Sequence, residues 1–299
     1  MTPNPSTLVI FHRSDLDGLC CEAIARKFLG NAGITYLGWD YGQPLPDLSQ
    51  YQTIYLLDIS LPRAEMVKRG RKLIWIDHHK SAMEEMKDLV ITGVRVDGVA
   101  ACRLAWQWFS EPTRVVNIAR KEDYVDRLVE EPYVVQLLGE YDIWDKRNPA
   151  VDPFQLGMQA EENPDWNKLL NMADDPYNLS GKLVDEILDR GTAIQAYTGV
   201  NNAKIVTERG FDIQWEGLFL RVLNTARSSS LTFTASLRPE HDGCLSYFWS
   251  GKKWCFSLYG VPGKDHIDLS LVAKRYGGGG HKQACGGTFA SLPRELGGP

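Results

Sequence analysis

Short apolar runs that end on acids or histidines recur through the first 80 positions. Residues 8–11 are apolar and lead into His12-Arg13-Ser14-Asp15-Leu16-Asp17-Gly18. Residues 35–37 form a second run, 54–57 a third that stops at Asp58, and 73–76 a fourth that stops at Asp77-His78-His79. Between them the period changes to that of a helix. Leu19, Ala23, Ile24 and Phe28 share one face of a segment closed by Gly30 or Gly33, and Pro62 opens another that Gly70 closes. This alternation predicts a parallel sheet covered by helices. Ligands of such sheets bind off the carboxyl ends of the strands, which is where the polar residues gather.

Helices are predicted over 100–109 and 133–138, irregular structure with one short helix (166–172) over 148–177, and a long helix over 181–206. Gly191 interrupts that helix at a cost of about 1 kcal/mol. From Phe211 the period shifts toward two. Strands are predicted at 219–223, 231–235, 244–249, 254–259 and 287–290, with a helix over 267–275 leading into Tyr276-Gly277-Gly278-Gly279-Gly280-His281. The expected class is α/β. An N-terminal parallel-sheet domain (1–180) is followed by a helical connector (181–209) and a smaller α+β domain (210–299).

Composition alters this picture in two respects. The 299 residues carry a net charge of −5, yet residues 221–290 hold nine basic and four acidic residues. A basic segment beside an acidic remainder suits a polyanion grip next to a metal site, and also suits ordinary solvated faces. Six cysteines form no CxxC, and no apolar run approaches the roughly 20 residues of a membrane helix. With no basic, apolar leader in MTPNPSTLVIFHRSD, the expectation is a cytoplasmic protein with free thiols and no membrane partner.

His12, Asp15 and Asp17 offer a mixed nitrogen and oxygen donor set, which suits Mn²⁺ better than Zn²⁺ or Mg²⁺. Asp15 or Ser14 could equally cap the helix that follows, and Asp58 taken alone reads as another helix-entry cap. Two adjacent histidines behind Asp77 at a strand end favour a metal ligand with an oriented partner. Glu140, Asp142 and Asp145 lie close together in the sequence and offer one more oxygen ligand; spacing does not choose among them. The glycine run lets an anion approach the backbone closely, with His281 and Lys282 adding donors. Arg227, in a serine-rich turn, is a further candidate phosphate contact. Trp249 and Trp254 read as core residues or as base-stacking residues.

HRSDLDG, Asp58, Asp77-His78-His79 and an acid near 140 together resemble the four motifs of the DHH phosphoesterase superfamily. GGGGHKQACGG resembles the GGGH motif of its DHHA1 domain. The family includes nanoRNase, oligoribonuclease and RecJ-like enzymes, and the resemblance covers most of the chain apart from about 148–210. It implies two Mn²⁺ ions, with Mg²⁺ or Co²⁺ as alternatives. His12 and Asp15 would hold one ion. Asp17, His78 and Asp142 (the acid preferred for the fourth motif) would hold the other, with Asp58 bridging. Asp77 would orient its neighbours and His79 would touch the scissile phosphate. Gly278, Gly279, Gly280, His281 and Arg227 would grip substrate. The implied activity is hydrolysis of short RNA or DNA, linear or cyclic dinucleotides, or a nucleotide 3′,5′-bisphosphate. A polyphosphate or pyrophosphate phosphatase and a single-strand exonuclease are the alternatives, and a homodimer is an open expectation.

Overall fold

The computed structural model describes residues 7–110, 130–171, 179–226 and 228–298. The chain divides into two compact units, Met1–Thr192 and Ala193–Pro299. Arg227 lies outside the described residues.

In the first unit five strands form one parallel sheet in the order β2-β1-β3-β4-β5: β1 (Thr7–His12), β2 (Ile34–Trp39), β3 (Thr53–Leu57), β4 (Leu73–Asp77) and β5 (Thr92–Arg95). Both faces are covered, which explains why the strands read as continuous apolar runs. Val9, Phe11, Leu57, Ile76 and Val94 pack on one side. They meet α1 (Leu16–Leu29), α4 (Ala101–Ser110), α5 (Tyr133–Asp142) and α6 (Val151–Gln159). Leu8, Ile10, Ile54, Leu56 and Trp75 point the other way, onto Met66 of α2 (Arg63–Arg69), Ala82 of α3 (Lys80–Glu85) and the 45–51 segment.

The four predicted strands are present. The fifth, β5, escapes the pattern, because its sequence Thr-Gly-Val-Arg lacks an apolar run. Gly93 sits at φ 131°, and a Cβ there would lie 2.0 Å from the Trp75 carbonyl oxygen. Arg95 is buried, donating to the carbonyls of Trp75 and Ile91 (both 2.9 Å) with its guanidinium over the Trp75 ring. Its charge is thus matched by carbonyl dipoles and a π face.

Two further expectations fail here. Residues 151–159 are helical, not irregular: Pro153 sits in the first turn, where its missing N–H is no loss. Gly191 is a packing point. It lies in the helix α8 (Leu179–Arg209), which runs through the boundary between the units, and a Cβ on it would fall 1.7 Å from the Pro153 carbonyl. The short helix α7 (Trp166–Leu169) follows α6 in the chain, and its Leu169 packs into the core with α1.

The second unit holds a six-stranded sheet in the order β10-β11-β9-β8-β7-β6. Its strands are β6 (Phe211–Trp215), β7 (Leu218–Asn224), β8 (Gly243–Trp249), β9 (Trp254–Tyr259), β10 (Gly279–His281) and β11 (Ala284–Phe289). Only β7 and β8 pair in parallel. The predicted strand at 231–235 is instead the short helix α9 (Ser230–Phe233) and a 3₁₀ turn. Ser229 and Thr232 close a capping box that overrides the alternating pattern. The helix before the glycines, α10, spans Ser270–Arg275. No helix among the described residues is long and apolar enough to cross a membrane.

Candidate metal centre

The carboxyl ends of β1, β3 and β4 bring the predicted residues of the first unit together. His12 ends β1, Asp58 follows β3 and Asp77 ends β4. Asp58 has φ 59°, a left-handed conformation that an aspartate tolerates better than most residues, and its N–H donates to the Ile76 carbonyl at 2.9 Å. Such a turn at a strand end is a recurrent place for stored strain at functional sites.

Asp58 joins two clusters, built on His12 and His78, and also lies 3.6 Å from His79 Nδ1, which is held by Asp77. In the first, His12 Nδ1 lies 2.8 Å from Asp15 Oδ2 and 3.4 Å from Asp58 Oδ2. In the second, His78 Nε2 lies 3.1 Å from Asp142 Oδ2, 3.4 Å from Asp58 Oδ1 and 3.7 Å from Asp17 Oδ2. Three carboxylates thus converge on one imidazole nitrogen, and Asp58 belongs to both groups. Of the acids near 140, Asp142 is the one that faces the cluster. Glu140 receives the side-chain amide of Gln136 at 2.8 Å, and Asp145 pairs with Arg147.

Asp15 also caps α1, accepting from the Gly18 N–H at 3.0 Å, so the helix-cap reading and the cluster reading hold together. Asp17 does the same for α4. Its two oxygens accept from the N–H groups of Ala101 (2.9 Å) and Cys102 (2.8 Å). Asp77 is completely buried and holds its neighbours. It accepts from Trp75 Nε1 (2.9 Å), from the backbone N–H of His78 (2.7 Å) and His79 (3.1 Å), and contacts His79 Nδ1 at 2.7 Å.

The donor set fits divalent cations. His12 Nδ1, Asp58 Oδ1 and Asp142 Oδ2 are buried and complete no hydrogen bond of good geometry, although ligand-type atoms face each of them. Burial, with the Asp58 charge adding, pushes the Asp17 carboxyl up to about 7. Burial pushes Asp142 up to about 7 against the pull of His78. Against the opposing effect of burial, Asp15 and Asp58 raise His12 to about 10. Asp77 behaves differently: burial opposes ionisation, but the His79 charge and hydrogen bonds hold it down at about 2. Carboxylates crowded with too little compensating charge are what a dication would relieve.

Sequence reasoning missed Asp40 and Tyr41, which follow β2. Asp40 Oδ1 lies 3.8 Å from His12 Nε2, and its carboxylate binds Arg13, Ser14 and Gln43. The signal was present: β2 ends on an acid as β3 and β4 do, and the same rule would have found it. In the second unit the last two glycines of the run, with His281, form the strand β10. Gly279 pairs with Gly286 and His281 with Ala284. A Cβ on Gly278 would strike the Gly286 carbonyl at 1.9 Å, whereas one on Gly279 would meet nothing within 4 Å. Packing therefore requires the first glycine of this pair and leaves the second unexplained. Trp249 is exposed at the β8–β9 turn, with its ring centroid 5.5 Å from that of Trp254.

No family model matches the chain. Uncharacterized protein R106 of Acanthamoeba polyphaga mimivirus is 24% identical over 242 residues, covering 76% of this chain and 50% of that protein. The chain thus spans about half the length of the curated relative it matches. The DHH domain of a protein assigned to a family of ribosomal proteins aligns with a TM-score of 0.54 at 14% identity, covering 96% of this chain and 83% of that one. An exopolyphosphatase-related protein from Bacteroides fragilis aligns at a TM-score of 0.49 and 14% identity, covering 98% and 89%. The fold is that of the DHH-domain proteins, in agreement with the resemblance carried by the motifs.

Proposed function

We propose that this protein is a two-metal phosphodiesterase acting on short oligonucleotides or dinucleotides. The observation that carries the reading is the position of Asp58 between two ligand clusters, one built on His12 and one on His78. His12 and Asp15 would hold one ion, and Asp17, His78 and Asp142 the other. Mixed imidazole and carboxylate donors favour Mn²⁺. When bound, such ions supply a hydroxide at neutral pH and neutralise charge in an in-line phosphoryl displacement.

The chain's own residues do the rest. Asp77 fixes His79 through Nδ1, so that the ring can donate to a phosphate oxygen through Nε2. In the second unit, the open side of Gly279 leaves room for an anion beside the backbone, and His281 adds a donor. The two adjacent histidines accordingly have different work. His78→Ala should remove most Mn²⁺ binding measured by isothermal titration calorimetry, whereas His79→Ala should leave Mn²⁺ affinity within a few-fold and depress turnover. Equal losses of Mn²⁺ affinity in the two variants would break the assignment.

The direct test is a substrate panel in Mn²⁺: a nucleotide 3′,5′-bisphosphate, dinucleotides, longer RNA, single-stranded DNA and tripolyphosphate. Preferred release of mononucleotide from the short substrates is expected. Faster turnover of tripolyphosphate than of any oligonucleotide would replace this reading with a polyphosphatase.

A further inference from the structure

We infer that the pocket beside the metal centre, between Tyr41 and Glu85, is a nucleobase subsite, with Tyr41 as its stacking platform. The inference rests on the phosphodiesterase reading and names the part of the substrate that the same site recognises.

The pocket has a volume of about 390 Å³, and Trp39, Tyr41, Gln43, Ser60, Leu61 and Glu85 are among its lining residues. That volume falls at the low end of the range for small-molecule sites. It adjoins the cluster through two short links. Tyr41 follows Asp40, which faces His12, and the Tyr41 and His12 ring centroids are 6.3 Å apart. Ser60 lies two residues beyond Asp58 and binds the Tyr41 hydroxyl twice. Its N–H donates at 3.1 Å and its Oγ shares a hydrogen bond at 3.2 Å.

These bonds determine what the ring can do. A tyrosine hydroxyl usually seeks water when its ring is exposed. Here the hydroxyl is held against Ser60 and the Trp39 ring meets the Tyr41 ring edge-on with centroids 5.9 Å apart, yet 53% of the residue's surface is exposed. The ring is thus held at two ends with apolar surface open beside the candidate metal centre. A preorganised aromatic face loses little side-chain freedom on binding, and every base has a π-face that stacks on such a ring. The other polar groups set the edge chemistry. The Gln43 amide is engaged with Asp40 in both directions, whereas Glu85 is an exposed carboxylate suited to accept from base N–H groups.

The test compares a dinucleotide with its abasic counterpart, in Mn²⁺, across four proteins. The wild type should favour the intact substrate in kcat/KM by roughly 10-fold or more, the size of one base–aromatic stack. In Tyr41→Ala that ratio should fall to about one. In Tyr41→Trp it should persist, and in Tyr41→Phe it should persist despite the lost hydroxyl. An unchanged ratio in Tyr41→Ala, with both substrates slowed alike, would show a purely structural tyrosine and overturn the subsite. So would wild-type enzyme that cleaves both substrates equally well. If the wild type cleaves neither, the phosphodiesterase reading has failed, and equilibrium dialysis of AMP still decides the pocket. Weaker AMP binding by Tyr41→Ala than by wild type supports the subsite, and equal binding refutes it.

Discussion

On the two-ion proposal, Asp58→Asn is expected to lower turnover by roughly 10³-fold or more, since several kcal/mol of charge stabilisation would depend on the paired ions. Asparagine is the informative replacement. It tolerates the positive φ that residue 58 adopts, so the strand end keeps its course, while one oxygen of the shared carboxylate becomes an amide that cannot bridge two cations. The metal-free protein should not suffer. Burial disfavours the Asp58 charge and the neighbouring Asp15 and Asp17 repel it, outweighing the pull of His12 and His78, so removing that charge relieves a cost. The expected pattern is therefore an unchanged or higher melting temperature without metal and a much smaller rise on adding Mn²⁺. Ligand at about 100 times its Kd stabilises by about 2.7 kcal/mol. In a domain of this size that is a rise of about 5–10 °C. Near-wild-type turnover in Asp58→Asn would remove the basis of the two-ion proposal.

Gly93→Ala is expected to destabilise the first unit by roughly 3–5 kcal/mol, combining overpacking with an unfavourable backbone conformation. The new methyl would sit 2.0 Å from the Trp75 carbonyl oxygen, which is backbone of the adjacent strand and cannot swing away. That same strand carries Asp77, so metal binding should weaken along with stability. Gly199→Ala is the control. Its Cβ would meet nothing within 4 Å inside α8, and a gain of about 0.5–1 kcal/mol is expected there. Urea denaturation of the three proteins checks both signs. Equal stability in Gly93→Ala and wild type would show that β5 can move away from β4.

Much of the site was legible before the fold was seen, and for a physical reason. Strands in a parallel sheet start and stop together, so residues that end successive apolar runs become neighbours. His12, Asp58 and Asp77 could be placed by that rule alone, and Asp40 should have been. Asp142 could not, because Glu140 and Asp142 share the last turn of a helix, Asp145 lies just beyond it, and spacing gives no direction. Gly191 misled in the other sense. A glycine in a helix looks like a weakness until the neighbouring helix is known, and the Pro153 carbonyl and the Gly157 amide nitrogen explain it. The failure at 231–235 has the same character: alternation suggested a strand, and a local Ser229–Thr232 capping box decided otherwise.

On the two-ion proposal, the double use of Asp17 would limit how the ion preference of the site could be changed. Because its oxygens also hold the first amides of α4, a longer or neutral side chain there would disturb the helix together with the ligand field. Redesign toward a softer or harder cation has to leave Asp17 in place. The adaptable position would be His12, on the half of the site that stands closer to solvent, because Asp15 caps α1 as Asp17 caps α4 and neither can change donor atom without loosening a helix end.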